Sequence, residues 1–182
     1  MTWDAFHRRG EVLRAVVDEA NTRRDGILPM QLPGVAETFG DELTLIGALQ
    51  LRWHTRLAGL IERELMDHPG DLEPAVLSAW CRAASELAGV RAILDAYTEA
   101  PTSEAMARAL DTAHRKDWAL LAAMAGRAGV HDERAAEVGR KLEEGARVAH
   151  RRVTGDRSGS ERTARRVRRE SLLGRLRAHL AA

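Results

Sequence analysis

The densest group of polar side chains on an otherwise apolar helical stretch comprises Asp111, His114, Asp117 and Trp118. A histidine with carboxylates nearby can transfer protons or hold a polar ligand. The alternative is a solvent-exposed helix rim held by pairs four residues apart, such as Asp111 with Arg115. We take Asp111, His114 and Trp118 as candidate ligand-binding residues.

Tryptophans are the second feature with potential for binding. Each of the four falls on a different predicted helix: Trp3, Trp53, Trp80 and Trp118. Filling the core is the usual role of such residues on an apolar stripe. Helix bundles also bind ligands between their helices. Trp53 and Trp80 therefore join the candidate ligand site.

Metal binding is the main alternative for these residues. Helix bundles bind two irons through inward carboxylates and a Glu-x-x-His pair on each of two helices. This sequence has Asp111-x-x-His114 at that spacing but no second matching pair. In a metal site formed by Asp111 and His114, Glu64 or Glu86 would supply a further carboxylate from a facing helix. A ferritin-like bundle that binds a metal ion or a small molecule is thus the alternative function, while our own prediction includes no metal and no cofactor.

Recognisable catalytic motifs are absent from the sequence. It contains no P-loop, no Gly-x-Gly-x-x-Gly, no His-Glu-x-x-His and no Gly-x-Ser-x-Gly. Cys81 is the single cysteine, and no histidine near it in the sequence could activate its thiol. These observations favour a non-enzymatic protein and name no catalytic residue. The lone cysteine fits a reducing cytoplasm, and no apolar run approaches the ~20 residues that a membrane-spanning helix needs.

Positive charge is concentrated near the C-terminal end of the sequence. Residues 161–182 hold seven arginines and two glutamates, a local charge of +5, whereas the other residues hold 21 basic and 25 acidic side chains. Such a segment suits nucleic-acid phosphates, an anionic membrane surface or an acidic protein. A solvated end that packs its leucines on the bundle is the alternative. The candidate nucleic-acid contacts are Arg162, Arg165, Arg166, Arg168 and Arg169.

Composition and apolar spacing predict an all-α fold. Ala, Leu, Arg and Glu dominate, and aromatic residues make up only 4% of the 182 residues. Prolines mark joints at 27–35, 69–74 and about 101, because proline interrupts helix interiors. Five helices are expected, over about 3–24, 41–66, 72–97, 104–125 and 132–152. The small residues at 84, 88 and 89 predict a close approach of another helix.

The domain organisation follows from the same signals. We predict a helical bundle over residues 1–153, a linker at 154–160 that is rich in Gly and Ser, and a basic amphipathic helical tail over 161–182. The absence of a long apolar segment or a signal-peptide core predicts a cytoplasmic location.

Part of the N-terminal third resembles TetR-type transcription regulators. Arg9 to Gly26 looks like the first helix of that family, Pro33-Gly34-Val35 resembles its Gly-Val turn, and Phe39 to Ile46 resembles the run that opens its long helix. Only three residues separate Val35 from Phe39, which leaves no room for a recognition helix. The resemblance implies a helical ligand-binding or dimerisation domain whose helix-turn-helix is degenerate or missing.

Together these features predict a non-enzymatic helical binding or regulatory protein that forms a homodimer. Its arginine-rich tail would contact an anionic partner such as nucleic acid.

Overall fold

A computed structural model describes residues 3–129 and 132–155 of the chain. Within these ranges the protein forms seven helices and no strand, which confirms the all-α prediction. In chain order they are α1 (Trp3–Arg23), α2 (Val35–Phe39), α3 (Glu42–Asp67), α4 (Leu72–Glu86), α5 (Ala88–Glu99), α6 (Glu104–Met124) and α7 (135–155).

The two helices that frame the site begin at side-chain caps. The carboxylate of Asp41 accepts a hydrogen bond from the Thr44 backbone N–H at 2.7 Å, at the start of α3. Ser103 Oγ accepts from the Met106 N–H at 3.2 Å, at the start of α6. These caps satisfy backbone donors that have no partner inside the helix, so the beginnings of both helices are encoded locally.

The single helix expected over 72–97 is two helices in the structure. Leu87 separates α4 from α5 and has a non-helical backbone, with φ −116° and ψ 38°. Asn21 of α1 bridges this break: its amide donates to the Glu86 carbonyl at 3.2 Å and its oxygen accepts from the Gly89 N–H at 2.9 Å. A side chain that is distant in sequence therefore replaces helical hydrogen bonds at the break.

The close approach predicted near residues 84–89 is present at Gly89. A Cβ atom built there would lie 1.8 Å from the Ala20 carbonyl oxygen of α1. Only glycine allows the two backbones to meet at that distance.

The apolar segment between α1 and α3 lies partly in the core. Leu28 is buried, and so are Val35 and Phe39 of α2. The guanidinium of Arg9 lies over the Phe39 ring, 4.5 Å from its centroid. Between α1 and α3 the helical structure is limited to the five residues of α2.

α3 is the central helix of the bundle. It contacts α1, α2, α4, α5 and α6, and its apolar stripe is buried from Leu45 to Ile61. Its fully buried side chains include Leu45, Ile46, Leu49, Trp53, Leu57, Leu60 and Ile61. The last helix has a thin apolar face, since its buried apolar residues up to position 146 are Ala135, Leu142 and Ala146.

The chain divides into two compact units, Met1–Ala146 and Arg147–Ala182. The boundary lies inside α7, seven residues before the predicted end of the bundle domain. Residues 154 and 155 of the predicted linker are helical, and the rest of the linker and the whole basic tail lie outside the described residues. Among the described helices, none combines the length and the apolar character needed to cross a membrane.

Candidate functional site

A cleft of about 370 Å³ lies between α3 and α6. Apolar and small side chains form most of its wall, and a few polar side chains interrupt it. The lining residues are Ile46, Gly47, Gln50, Leu51, His54, Ala109, Leu110, Thr112, Ala113, Lys116 and Asp117. Leu51 is 65% exposed although it is a large apolar residue. This combination of apolar walls and few polar groups is typical of small-molecule sites.

Asp117 anchors a hydrogen-bonded network in this wall. Its Oδ2 accepts from Gln50 Nε2 at 2.8 Å, and its Oδ1 bonds to His54 Nδ1 at 2.6 Å. The Asp117 side chain is only 4% exposed, whereas that of His54 is 40% exposed. The network therefore leads from a buried carboxylate of α6 to a solvent-accessible imidazole of α3.

The buried position of Asp117 governs its protonation. Burial raises the pKa of this carboxyl, because a charged carboxylate loses its hydration there. The hydrogen bond and charge of His54, the charge of Arg91 and the hydrogen bond from Gln50 act in the opposite direction. The neighbouring donors thus partly offset the cost of keeping the charge inside the bundle.

Gln50 contributes an unsatisfied group to the same network. Its side-chain oxygen is buried and has no hydrogen-bond partner among the described residues. A buried acceptor without a partner costs roughly 1–3 kcal/mol. The amide of Gln50 is nevertheless held in place by its donation to Asp117, so the structure tolerates this cost to keep the carboxylate fixed.

The opposite flank of α6 carries a second polar group. The indole N–H of Trp118 donates to Glu143 Oε2 of α7 at 2.6 Å. Glu143 also lies 3.9 Å from Arg91, whose guanidinium covers the Trp53 ring at 4.9 Å from its centroid. Arg91 pairs with Asp95 as well. Arg91 and Glu143 are both almost fully buried, so their charged groups are closed to solvent, whereas the Asp95 side chain is 39% exposed.

His114 belongs to this closed group. Its ring stacks on Trp118 with a centroid distance of 5.7 Å and an interplanar angle of 22°. Burial lowers the pKa of His114, and the charge of Arg91 lowers it further, against smaller opposing effects of Glu143, Asp117 and Asp95. Burial and the charge of Arg91 thus favour the neutral form of this imidazole.

The residues that the sequence suggested as a ligand site lie in different places in the structure. Asp111 is exposed and pairs with Arg115 at 2.8 Å, as in the helix-rim interpretation. Trp53 and Trp80 are buried and meet edge to face at 5.8 Å. His114 and Trp118 are adjacent, but the cleft is lined by other residues.

The acids proposed to face His114 in a metal site have other partners. Glu64 lies 3.5 Å from Arg82, and Glu86 pairs with Arg56 and Arg82. In residues 3–129 and 132–155 no group of three or more His, Cys, Asp or Glu side chains could hold a metal ion. Arg162, Arg165, Arg166, Arg168 and Arg169 lie outside the described residues.

Two residues of the cleft network, His54 and Gln50, are not among the residues that the sequence indicated as a site. The sequence does contain a signal for Gln50, because this polar residue lies on the same helical face as the apolar Ile46, Trp53 and Leu57. The pairing of both with Asp117, more than 60 positions away, has no signal in the sequence.

No protein-family model, curated protein or solved structure matches this chain. The functional interpretation therefore depends on the geometry of the cleft and on the distribution of charge.

Proposed function

We propose that the protein binds a small, uncharged and mostly apolar molecule in the cleft between α3 and α6. The observation that carries this proposal is an apolar cleft with one accessible imidazole, His54, held by a buried carboxylate. Pockets of about 300–1,000 Å³ with few convergent polar groups are the usual form of a small-molecule site. The cleft volume of about 370 Å³ is at the small end of this range.

The polar group of His54 determines what the ligand must offer. When Asp117 is ionised, its oxygen accepts the proton of His54 Nδ1, which leaves Nε2 of the neutral ring as an acceptor. A ligand with one hydroxyl or N–H group can donate to this nitrogen. Its remaining surface would pack against Ile46, Leu110 and the small residues of the wall.

Phenol and anisole are suitable probes, because they differ mainly in the hydroxyl donor. In ¹H–¹⁵N NMR titrations we expect both to shift the backbone resonances of Gly47, Ala109 and Ala113. We expect phenol to bind about fivefold more tightly, which corresponds to roughly 1 kcal/mol for one hydrogen bond.

Substitution of His54 distinguishes binding through its imidazole from non-specific hydrophobic binding. H54L should bind phenol and anisole equally, whereas H68L, which changes the exposed histidine at the C-terminal end of α3, should keep the preference for phenol. Shifts that spread over the surface, or an unchanged preference in H54L, would show that the cleft is not the binding site.

A second candidate function concerns nucleic acid. The concentration of seven arginines in residues 161–182 supports binding of the full chain to duplex DNA. Replacement of Arg162, Arg165, Arg166, Arg168 and Arg169 by Gln should weaken binding and flatten its salt dependence, by about 0.9 in slope for each lost phosphate contact. Sedimentation of the same samples tests the predicted homodimer.

The matched control for the tail replaces five exposed arginines of the described helices and connections, so that the net charge changes equally. The control residues are Arg8, Arg14, Arg52, Arg63 and Arg134. Equal loss of DNA binding in both variants would leave net charge, rather than the tail, as the cause.

A further inference from the structure

We propose that the cleft is catalytic and hydrolyses small uncharged esters, with His54 as the general base and Asp117 as the residue that positions it. This inference rests on the proposed function, because the ester must first bind in the cleft. It departs from the expectation of a non-enzymatic protein that the missing sequence motifs produced.

The geometry around His54 is that of an oriented base. Nδ1 lies 2.6 Å from a carboxylate oxygen of Asp117, and this carboxylate is fixed on its other oxygen by Gln50. An ionised carboxylate accepts the Nδ1 proton and so selects the ring form with a lone pair on Nε2. Among the described residues Nε2 has no hydrogen-bond partner, and the ring is 40% exposed at the cleft.

The reaction needs only water as a second reactant. His54 Nε2 takes a proton from a water molecule as the water oxygen forms a bond to the ester carbonyl carbon. The carbonyl electron pair moves to its oxygen and then returns as the bond to the leaving alkoxide breaks. The imidazolium gives its proton to that alkoxide, so the products are a carboxylic acid and an alcohol, and the base is regenerated.

The residues of the cleft favour attack by water over a covalent route. No Ser or Cys is among the lining residues, and the hydroxyl of Thr112 donates to the Arg108 carbonyl at 2.8 Å. Lys116 supplies a positive charge in the lining, which favours the negative oxygen that develops during attack. Lys116 and Asp117 are the charged groups of α6 that line the cleft beside His54.

The apolar wall defines the class of substrate. Ile46, Leu51 and Leu110 offer no partner for a second charge, and the volume limits the acyl and alcohol parts to a few carbon atoms or one ring. Phenyl acetate meets both conditions, and its product phenol is detected by absorbance.

The decisive experiment compares phenyl acetate hydrolysis by the wild-type chain, H54Q and H68Q. We expect H54Q to lower kcat at least about 100-fold, since a positioned general base typically contributes 10²–10⁴. H68Q should retain the wild-type rate, because His68 is exposed and caps the C-terminal end of α3 through its backbone. Equal rates in H54Q and H68Q would overturn the proposal. So would a wild-type rate no higher than that of free histidine with capped amino and carboxyl groups at the same concentration.

D117N tests the positioning residue separately. An amide at this position can donate to His54 Nδ1 and thereby moves the ring proton to Nε2, where it blocks the base. We expect kcat to fall about 100-fold or more while KM changes less than about threefold. A rise in KM at unchanged kcat would instead assign Asp117 to substrate binding and would contradict its proposed role.

Phenol binding to the wild-type chain distinguishes the two proposals. If phenol binds in the cleft and phenyl acetate is not hydrolysed above the control rate, the catalytic inference is wrong and the binding function stands. If phenol does not bind there and no hydrolysis depends on His54, both proposals are wrong.

Discussion

Two adjacent residues of α6 face opposite environments. Asp117 joins Gln50 and His54 on the flank of α6 that meets α3, where the cleft leaves an imidazole accessible. Trp118 bonds to Glu143 on the flank that meets α7, where the polar group is closed. Both flanks therefore bury a carboxylate that is hydrogen-bonded to a ring N–H, but only one of them opens to solvent.

The difference comes from how closely the neighbouring helices approach. At Gly139 of α7 an added Cβ would lie 1.8 Å from the Trp118 carbonyl oxygen, so the two backbones are in direct contact. At Gly47 of α3 an added Cβ would meet nothing within 4 Å. Contact on one flank excludes water and gives stability, whereas space on the other leaves room for a ligand.

The largest expected effect concerns the closed flank. G139A should destabilise the protein by about 3 kcal/mol, because a backbone atom cannot move aside and α7 must shift. Urea unfolding measures this change. G145A is the matched control on the same helix, where nothing lies within 4 Å, and it should stabilise the protein by about 0.5 kcal/mol. Equal effects of the two substitutions would contradict the close contact at Gly139.

Removal of the buried carboxylate on the closed flank should have the next largest effect. E143L takes the ion pair from Arg91 and the acceptor from the Trp118 indole, and it should cost about 2 kcal/mol while Asp95 still pairs with Arg91. E144L changes the next residue, which forms an exposed pair with Arg140, and should cost less than about 0.5 kcal/mol. Chemical denaturation that finds both variants alike would remove the distinction between buried and exposed carboxylates.

The pH dependence of the free energy of unfolding should show the contribution of the buried His114. Because its pKa is lowered in the folded state, the unfolded chain binds more protons around pH 6.5 and below, and acid favours unfolding. The free energy of unfolding should therefore fall from pH 7.5 to 5.5 by a smaller amount in H114Q than in the wild type.

Asp117 contributes with the opposite sign. Its pKa is raised in the folded state, so the folded chain binds the extra proton first and acid favours folding through this group. Asp117 is the same residue in H114Q and in the wild type, so the comparison of the two chains isolates His114. If the free energy of unfolding falls with decreasing pH as steeply in H114Q as in the wild type, a group other than His114 causes the fall.

The smallest effect is expected on the open flank. H54Q should change the free energy of unfolding by less than about 1 kcal/mol, because the ring is 40% exposed and a glutamine amide can still donate to Asp117. Such a result, beside a large loss of hydrolysis, would separate function from stability. A loss of more than about 2 kcal/mol would instead place His54 among the structural residues, like Trp118.

The helices themselves were largely predictable from the sequence. Asp41 and Ser103 lie at the caps where local hydrogen bonding requires them, and the apolar spacing of α3 corresponds to its buried stripe. The break at Leu87 was not predictable, because Asn21 of another helix supplies the hydrogen bonds that hold it open.

The candidate site was less predictable than the helices. The polar cluster on α6 drew attention to the stretch from 111 to 118, but helical periodicity does not show which neighbour each of its side chains meets. Asp111 turned out to be exposed, and His114 with Trp118 belongs to the closed flank. His54 and Gln50 became relevant only through their distances to Asp117.

The helical character of this chain, the bounds of most of its helices and the position of its apolar stripes can all be predicted from the order of its residues. These properties depend on interactions within a few residues, namely caps, prolines and the 3.6-residue period. The packing of the helices, by contrast, is what brings Asp117 and His54 together beside a cleft and Trp118 and Glu143 together inside the core. That outcome depends on the distance between helices, which small residues such as Gly47 and Gly139 permit but the packing of the whole bundle sets.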